Sequence, residues 1–163
     1  MHIQFRYNRH DVINALRFHF LRRGEIKVFR NTFAILLLAT LAGYVFNLVN
    51  IAALAGIVAM MLVIGCAFWF LLPISVYNKS QTFKESIRLG YNEREMTIGT
   101  HVGDRPLNWS NFSQIVETPT FFFLYRDAKS FFLVPVSAFE TEDAVHGFRE
   151  LLKTKFSSYD VSR

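Results

Sequence analysis

The sequence lacks charge over one long stretch: no Asp, Glu, Lys or Arg occurs between Thr32 and Asn78, a run of 47 of the 163 residues. A helix that crosses a bilayer needs about 20 mostly apolar residues. The run therefore has room for two such helices and a tight turn. A 31-residue arm with charged side chains precedes the run, unlike the short apolar segment of a cleavable signal peptide. We therefore expect a permanent membrane anchor.

Cysteine is nearly absent as well, since Cys66 is the single one. An intrachain disulfide is excluded, and so is a metal site built on paired cysteines. The chain has neither a Gly-x-Ser-x-Gly motif nor a glycine-rich phosphate-binding loop. His10, Asp11 and His19 are spaced too widely to bind a metal from one helix face. These absences predict a protein that is not an enzyme and that uses no metal or other cofactor.

The excess positive charge lies in the N-terminal arm. Residues 1–31 hold seven Lys and Arg against two Asp and Glu, whereas residues 79–163 hold eleven of each sign. Because Lys and Arg near a span mark its cytoplasmic side, we expect both termini in the cytoplasm. The arm combines this charge with an apolar stripe, which favours the lipid bilayer over nucleic acid as its partner. The predicted membrane-surface residues are Arg17, Arg22, Arg23, Lys27 and Arg30.

Residues 1–27 are predicted to contain a short strand and a basic amphipathic helix. The strand follows from the period-two alternation between His2 and Tyr7, and the helix from an apolar stripe between Asp11 and Lys27. A single strand is not stable alone. We therefore expect this one to pair with the sheet of the C-terminal half.

Residues 28–78 are predicted to form a transmembrane helical hairpin. The spans are expected at about Val28–Phe46 and Ile51–Leu72, with a bend or stop at Pro73. The four residues between the spans begin and end with asparagine, which tolerates the backbone geometry of helix ends. Small residues near four-residue spacing would let the helices pack closely or, alternatively, let two copies associate as a homo-oligomer. These small residues are Ala39, Gly43, Ala52, Gly56, Ala59 and Gly65.

Residues 79–163 change to short strands separated by turn residues. The pattern predicts a small antiparallel β-meander of about five or six strands. A helical stripe from Ala144 to Leu152 then predicts a closing C-terminal helix, capped by Ser137 or Thr141. The expected fold class is α+β: a two-helix transmembrane hairpin and a cytoplasmic β-meander with a C-terminal helix.

Aromatic side chains are denser in this half than a two-sided sheet needs. Strand alternation places Phe122 on the face opposite Phe121 and Phe123, so we expect one strand pair to expose aromatic rings on both faces. The membrane surface, the N-terminal strand or a partner would then cover the second face. Trp109 is a further candidate, although packing in the core is the stronger interpretation of its large ring. The predicted partner-binding residues are Phe122, Phe132 and Trp109.

Two segments resemble the YcxB-like family of bacterial membrane proteins. They read Leu107-Asn108-Trp109-Ser110-Asn111-Phe112 and, before the final helix, Val134-Pro135-Val136-Ser137-Ala138-Phe139. That family joins an N-terminal arm and two transmembrane helices to a C-terminal β-rich domain. The resemblance implies a fold similar to small pleckstrin-homology-like modules, a place in the bacterial inner membrane, and no established reaction.

The function expected from these features is that of a non-enzymatic binding module, anchored in the inner membrane and acting through protein contacts. Its protein partner would be a membrane complex or, in one version, a membrane-active bacterial toxin that this chain neutralises as an immunity protein. That version is an expectation from the shape of small inner-membrane proteins. The alternative is a regulatory membrane protein that senses anionic lipid.

Overall fold

The computed structural model describes residues 1–22 and 24–162, and for Glu25 the backbone alone. The chain divides into two compact units. The β unit comprises residues 1–11 and 80–163, and the helical unit comprises residues 12–79. Helix α1, Arg9–Arg22, begins in the β unit and continues in the helical unit.

Two four-stranded sheets build the β unit, with strand orders β1-β2-β3-β4 and β7-β6-β5-β8. Neighbouring strands are antiparallel except β5 and β8, which run parallel. Helix α5, Glu142–Lys155, precedes the last strand. The strands are β1 His2–Arg6, β2 Ser86–Tyr91, β3 Glu95–Thr100, β4 Gly103–Asn108, β5 Gln114–Glu117, β6 Phe121–Tyr125, β7 Phe131–Pro135 and β8 Tyr159–Val161.

The prediction that the N-terminal strand pairs with the C-terminal half is confirmed. Strand β1 runs antiparallel to β2, with Phe5 opposite Ile87, and both side chains are buried. One residue beyond β1, the Tyr7 hydroxyl donates a 2.6 Å hydrogen bond to the Leu133 carbonyl of β7. Burial raises the pKa of Tyr7, so the hydroxyl keeps the proton that it donates. The N-terminal residues thus link the two sheets.

The prediction of a meander that a helix closes is wrong, because strand β8 follows α5. Within the described part of residues 79–163 there are seven strands, β2 to β8, rather than five or six. Helix α5 ends at the buried Phe156, whose backbone is extended, and β8 then lies parallel to β5 with Tyr159 opposite Ile115. A strand of three residues is too short to show a period-two pattern in the sequence.

Of the two caps considered for helix α5, Thr141 is the one used. Its hydroxyl accepts a 3.2 Å hydrogen bond from the backbone N–H of Ala144, whereas Ser137 lies in a separate 3-10 turn. We predict that Thr141→Ala lowers the free energy of unfolding by about 1 kcal/mol, while Thr141→Ser keeps most of it. Urea unfolding of the full chain in detergent measures both variants. Equal stability of the alanine variant and the wild type would contradict the cap.

The helical unit contains two long apolar helices, Ile26–Val45 and Ile51–Lys79, of 20 and 29 residues. The first belongs to α2, Gly24–Val45. The second is made of α3, Ile51–Cys66, a π-helical turn, Ala67–Leu71, and α4, Leu72–Lys79. The basic arm therefore contributes to both α1 and α2, rather than to one helix that ends at Lys27.

The prediction that two asparagines shape the hairpin loop is confirmed. Asn47 adopts φ 57° just after α2, a left-handed conformation that asparagine tolerates. The N–H of Leu48 donates to the Gly43 carbonyl at 2.8 Å, which is the six-to-one bond of a Schellman helix end. Asn50 then caps α3 by accepting a 3.0 Å bond from the N–H of Ala53. At both ends of the loop, backbone groups at the helix ends therefore have hydrogen-bond partners within the hairpin.

The prediction that small residues bring the helices together is wrong for most of the set. A Cβ built on Gly56 or Gly65 would meet no atom within 4 Å, and one on Gly43 would meet Val49 of the loop at 2.8 Å. The remaining small residues, Ala39, Ala52 and Ala59, are exposed. Larger side chains occupy the less exposed stripes instead: Phe33, Leu37 and Thr40 on α2, and Leu54, Ile57, Met61 and Ile64 on α3. Self-association through the small residues stays a prediction.

Candidate functional site

A proline inside the second apolar helix leaves one backbone carbonyl without its usual partner. Pro73 has no N–H, so the carbonyl of Trp69, four residues earlier, cannot receive the helical hydrogen bond. Just before the proline, the N–H of Leu72 donates to Ala67, five residues back, which widens the turn into a π-helix. The helix continues through Pro73 to Lys79. Pro73 therefore does not end the helix, and the local change is this wider turn.

Arg17 of α1 donates to the carbonyl that Pro73 leaves free. Its Nε lies 3.2 Å from the Trp69 oxygen, and its Nη1 donates to Asn14 Oδ1 at 3.1 Å. The guanidinium carbon is 5.1 Å from the centre of the Trp69 ring and 5.7 Å from that of Phe70. These distances allow cation–π attraction. Arg17 therefore joins α1 to the π-helical turn through both a hydrogen bond and ring contacts.

Beside this contact lies a cavity of about 210 Å³, here called the arginine cavity. Apolar side chains form most of its wall, and the rings of Phe29 and Phe68 meet there at 5.3 Å. Gly65 also borders it. Among the residues that the structure describes, the charged ones lining the cavity are Arg17 and Arg30. Neither forms an ion pair with a side chain in the described part of the chain.

The predicted membrane-surface residues differ in their surroundings. Arg17 is half-buried and fixed, whereas Lys27 and Arg30 are exposed on α2. The guanidinium of Arg22 lies 5.6 Å from the Phe18 ring. Arg23 lies outside the described residues. Of the four residues in this set that the structure describes, Arg17 and Arg30 border the arginine cavity.

Both faces of strand β6 are buried, so the prediction that the strand pair β6–β7 exposes rings on both faces is wrong for β6. Phe122 is 0% exposed, and its ring lies 5.2 Å from Phe148 of α5 and 6.3 Å from Phe139. Phe123, on the opposite face, is 1% exposed and meets the ring of Phe131 at 5.7 Å. The alternation holds, and the side chains on both faces of β6 are buried.

Trp109 is also buried, in agreement with the core-packing interpretation. Its Nε1 donates a 2.9 Å hydrogen bond to the Asn92 carbonyl, and its ring meets Phe156 at 6.3 Å. Phe132 is half-buried on β7, which is an edge strand of its sheet. Of the three residues predicted to bind a partner, Phe132 presents the most ring surface. Its binding role stays a prediction.

A partly buried charge cluster in the β unit is absent from the sequence predictions. The Arg149 guanidinium on α5 donates three hydrogen bonds of 2.6–3.0 Å to the carboxylate of Glu117 on β5. The Tyr159 hydroxyl of β8 donates to the same carboxylate. Burial acts to raise the pKa of Glu117, but the hydrogen bonds from Arg149 and Tyr159 outweigh it and hold that pKa below its ordinary value. The cluster ties α5 and β8 to β5.

Polar pairs elsewhere do not assemble into a recognisable metal site. His10 Nδ1 lies 3.7 Å from Asp11 Oδ1 at the surface, and His101 Nδ1 lies 2.7 Å from Glu85 Oε2. His19 is buried. Within residues 1–22 and 24–162, no group of three or more His, Cys, Asp and Glu side chains could hold a metal ion.

Residues 93–152 match the family model of YcxB-like proteins. The predicted family is confirmed over this segment. The YcxB-like segment is less than half of the 163-residue chain and lies within the β unit, from just before β3 into α5. It includes Trp109 and Pro135, which carried the resemblance, and the two apolar helices precede it. No curated protein and no solved structure matches the chain.

Proposed function

We propose that the protein is a membrane-anchored binding module, in which the α2–α3 hairpin crosses the bilayer and the YcxB-like β unit contacts other proteins without catalysis. The proposal places both termini and the β unit in the cytoplasm, in the inner membrane of a bacterium. The two sheets and helix α5 favour a pleckstrin-homology-like module, the fold that the family resemblance implies.

The exposure of the two apolar helices is the observation that carries the proposal. In the most apolar part of Ile26–Val45 only 6% of the residues are buried, and in that of Ile51–Lys79 the share is 0%. An apolar helix in the core of a soluble protein would be mostly buried. Helices also satisfy their own backbone groups, which the bilayer interior requires. In α2 the hydroxyl of Thr40 also has its partner within the helix, because it donates a 2.8 Å hydrogen bond to the Leu36 carbonyl.

For the protein contact we propose the surface of β7 around Phe132, which is half-buried on an edge strand of its sheet. An aromatic ring at such a position can pack against an apolar surface of a partner protein. A membrane complex or a membrane-active toxin could supply that surface. The toxin version is tested by challenging cells with and without the gene, and equal survival against the toxin encoded nearby would remove it.

Copurification from native membranes in mild detergent tests the contact itself. We expect a partner protein to copurify with the wild type and to be lost with Phe132→Ser. Val102→Ser is the matched control, because Val102 is 71% exposed on another turn of the β unit and should keep the partner. Loss of the partner from both variants, or retention by both, would contradict a contact at Phe132.

A second candidate function, regulation by anionic lipid, is favoured by the arginine cavity. Its wall combines apolar side chains with Arg17 and Arg30, the chemistry that an amphiphile with a negative headgroup requires. In this version the lipid bound to the helical unit would be the signal.

A further inference from the structure

We propose that the arginine cavity binds one anionic phospholipid, with part of an acyl chain in the cavity and the phosphate at Arg17 and Arg30. This inference rests on the proposed membrane anchor and goes beyond it. Charge near a membrane attracts anionic lipid in general, but the arginine cavity would select a single lipid at a defined place.

The cavity suits an acyl chain in size and chemistry. About 210 Å³ accommodates a segment of a hydrocarbon chain rather than a whole lipid, so the remainder of the molecule would lie outside. The aromatic wall around Phe29 and Phe68 offers contact with methylene groups. Because apolar wall predominates, a free phosphate ion would leave most of the cavity unused.

The two guanidinium groups suit the headgroup. The hydrogen bonds to Trp69 and Asn14 use two of the N–H groups of Arg17, and a guanidinium has five. Those two bonds and the ring contacts hold the group in one orientation before a ligand arrives, which reduces the entropy lost on binding. Arg30 adds a second positive charge without a carboxylate partner in the described part of the chain. A phosphate is the acceptor that such a pair of arginines binds well.

Native mass spectrometry of the full chain in mild detergent tests the site. The delipidated protein is titrated with phosphatidylglycerol and, separately, with phosphatidylcholine. We expect one phosphatidylglycerol to bind in preference to phosphatidylcholine, and Arg30→Gln to weaken that binding by about five- to tenfold. Lys27→Gln is the matched control, because it removes the same charge from an exposed position on α2 that does not border the cavity. It should bind like the wild type.

A second variant separates the cavity from the charge. Gly65→Leu adds a side chain where a Cβ meets no atom within 4 Å, and it should reduce phosphatidylglycerol binding without altering charge. Equal losses with Lys27→Gln and Arg30→Gln, or full binding by Gly65→Leu, would overturn the site. Every variant is first tested for retention in the membrane after alkaline carbonate washing. Release by carbonate contradicts the anchor, whereas a retained chain without lipid preference contradicts the lipid site alone.

Discussion

Replacing Phe122 by alanine is expected to lower the free energy of unfolding of the β unit by about 4 kcal/mol. Phe122 is 0% exposed and its ring packs edge-on against Phe148 at 5.2 Å. Removing it leaves a cavity between β6 and α5 in addition to the lost burial of the ring. The loss is measured by urea titration of the full chain in detergent. Protease cleavage of the β unit at each urea concentration reports how much of it is unfolded.

Phe132→Ala is the control for this prediction. It makes the same substitution on the neighbouring strand, at a side chain that is half-buried, and we expect a clearly smaller loss of stability. Similar losses for the two variants would contradict the burial assigned to Phe122. The comparison also shows that a binding experiment should use Phe132, because a variant of Phe122 would lose binding through unfolding.

Replacing Glu117 by glutamine is expected to cost about 2 kcal/mol at neutral pH, since the Arg149 side chain is partly exposed. The substitution keeps the shape of the side chain but removes the charge that faces Arg149, whose bonds to Glu117 include one of 2.6 Å. Arg149 is then left partly buried without its counter-ion. Glu150→Gln is the control, because the Glu150–Lys153 pair is exposed and such pairs contribute about 1 kcal/mol or less. Equal effects of the two substitutions would contradict the role of the partly buried cluster.

The contribution of Glu117 is also expected to depend on pH. In the folded state its pKa lies below the ordinary value of 4.5. A carboxyl group with a lowered pKa stabilises the fold fully above its unfolded pKa and ceases to do so as the pH falls through the folded one. The stability difference between the wild type and Glu117→Gln should therefore be constant near neutral pH and shrink below about pH 4.5. A difference that is unchanged at pH 3 would contradict this linkage.

The parts of the fold that depend on local pattern were predictable from the sequence. The 47-residue stretch without charged residues defines both apolar helices, because length and composition alone decide whether a helix can cross a bilayer. Asn47 and Asn50 define the loop between them for an equally local reason. Strand alternation also predicts correctly that Phe122 lies on the face of β6 opposite Phe121 and Phe123.

The features that were missed depend on residues far apart in the chain. The carboxylate of Glu117 meets Arg149 and Tyr159 across 32 and 42 positions, and a single sequence gives no sign of such a pairing. One local signal was present, a carboxylate at the end of the apolar strand β5. Burial of the Phe122 face of β6 likewise depends on where helix α5 and Phe139 pack.

The arginine cavity was only partly predictable. Its basic residues were predicted to lie at a membrane surface, and Pro73 was recognised as a disturbance in the helix. The sequence could not show that Arg17 donates to the carbonyl of Trp69, because that bond joins positions 52 residues apart. The physical connection is nevertheless simple, since a proline frees one carbonyl and a nearby donor binds it.

Cysteine accessibility in intact spheroplasts tests the central claim, a hairpin anchor with the β unit in the cytoplasm. In a Cys66→Ser background, single cysteines replace Leu48 in the hairpin loop and Lys129 in a turn of the β unit, both exposed positions. A maleimide that does not cross membranes is added before and after the inner membrane is opened. We expect the loop cysteine to react in intact spheroplasts and the β-unit cysteine to react only after lysis. Labelling of the β-unit cysteine before lysis, or of neither cysteine until lysis, would contradict that claim.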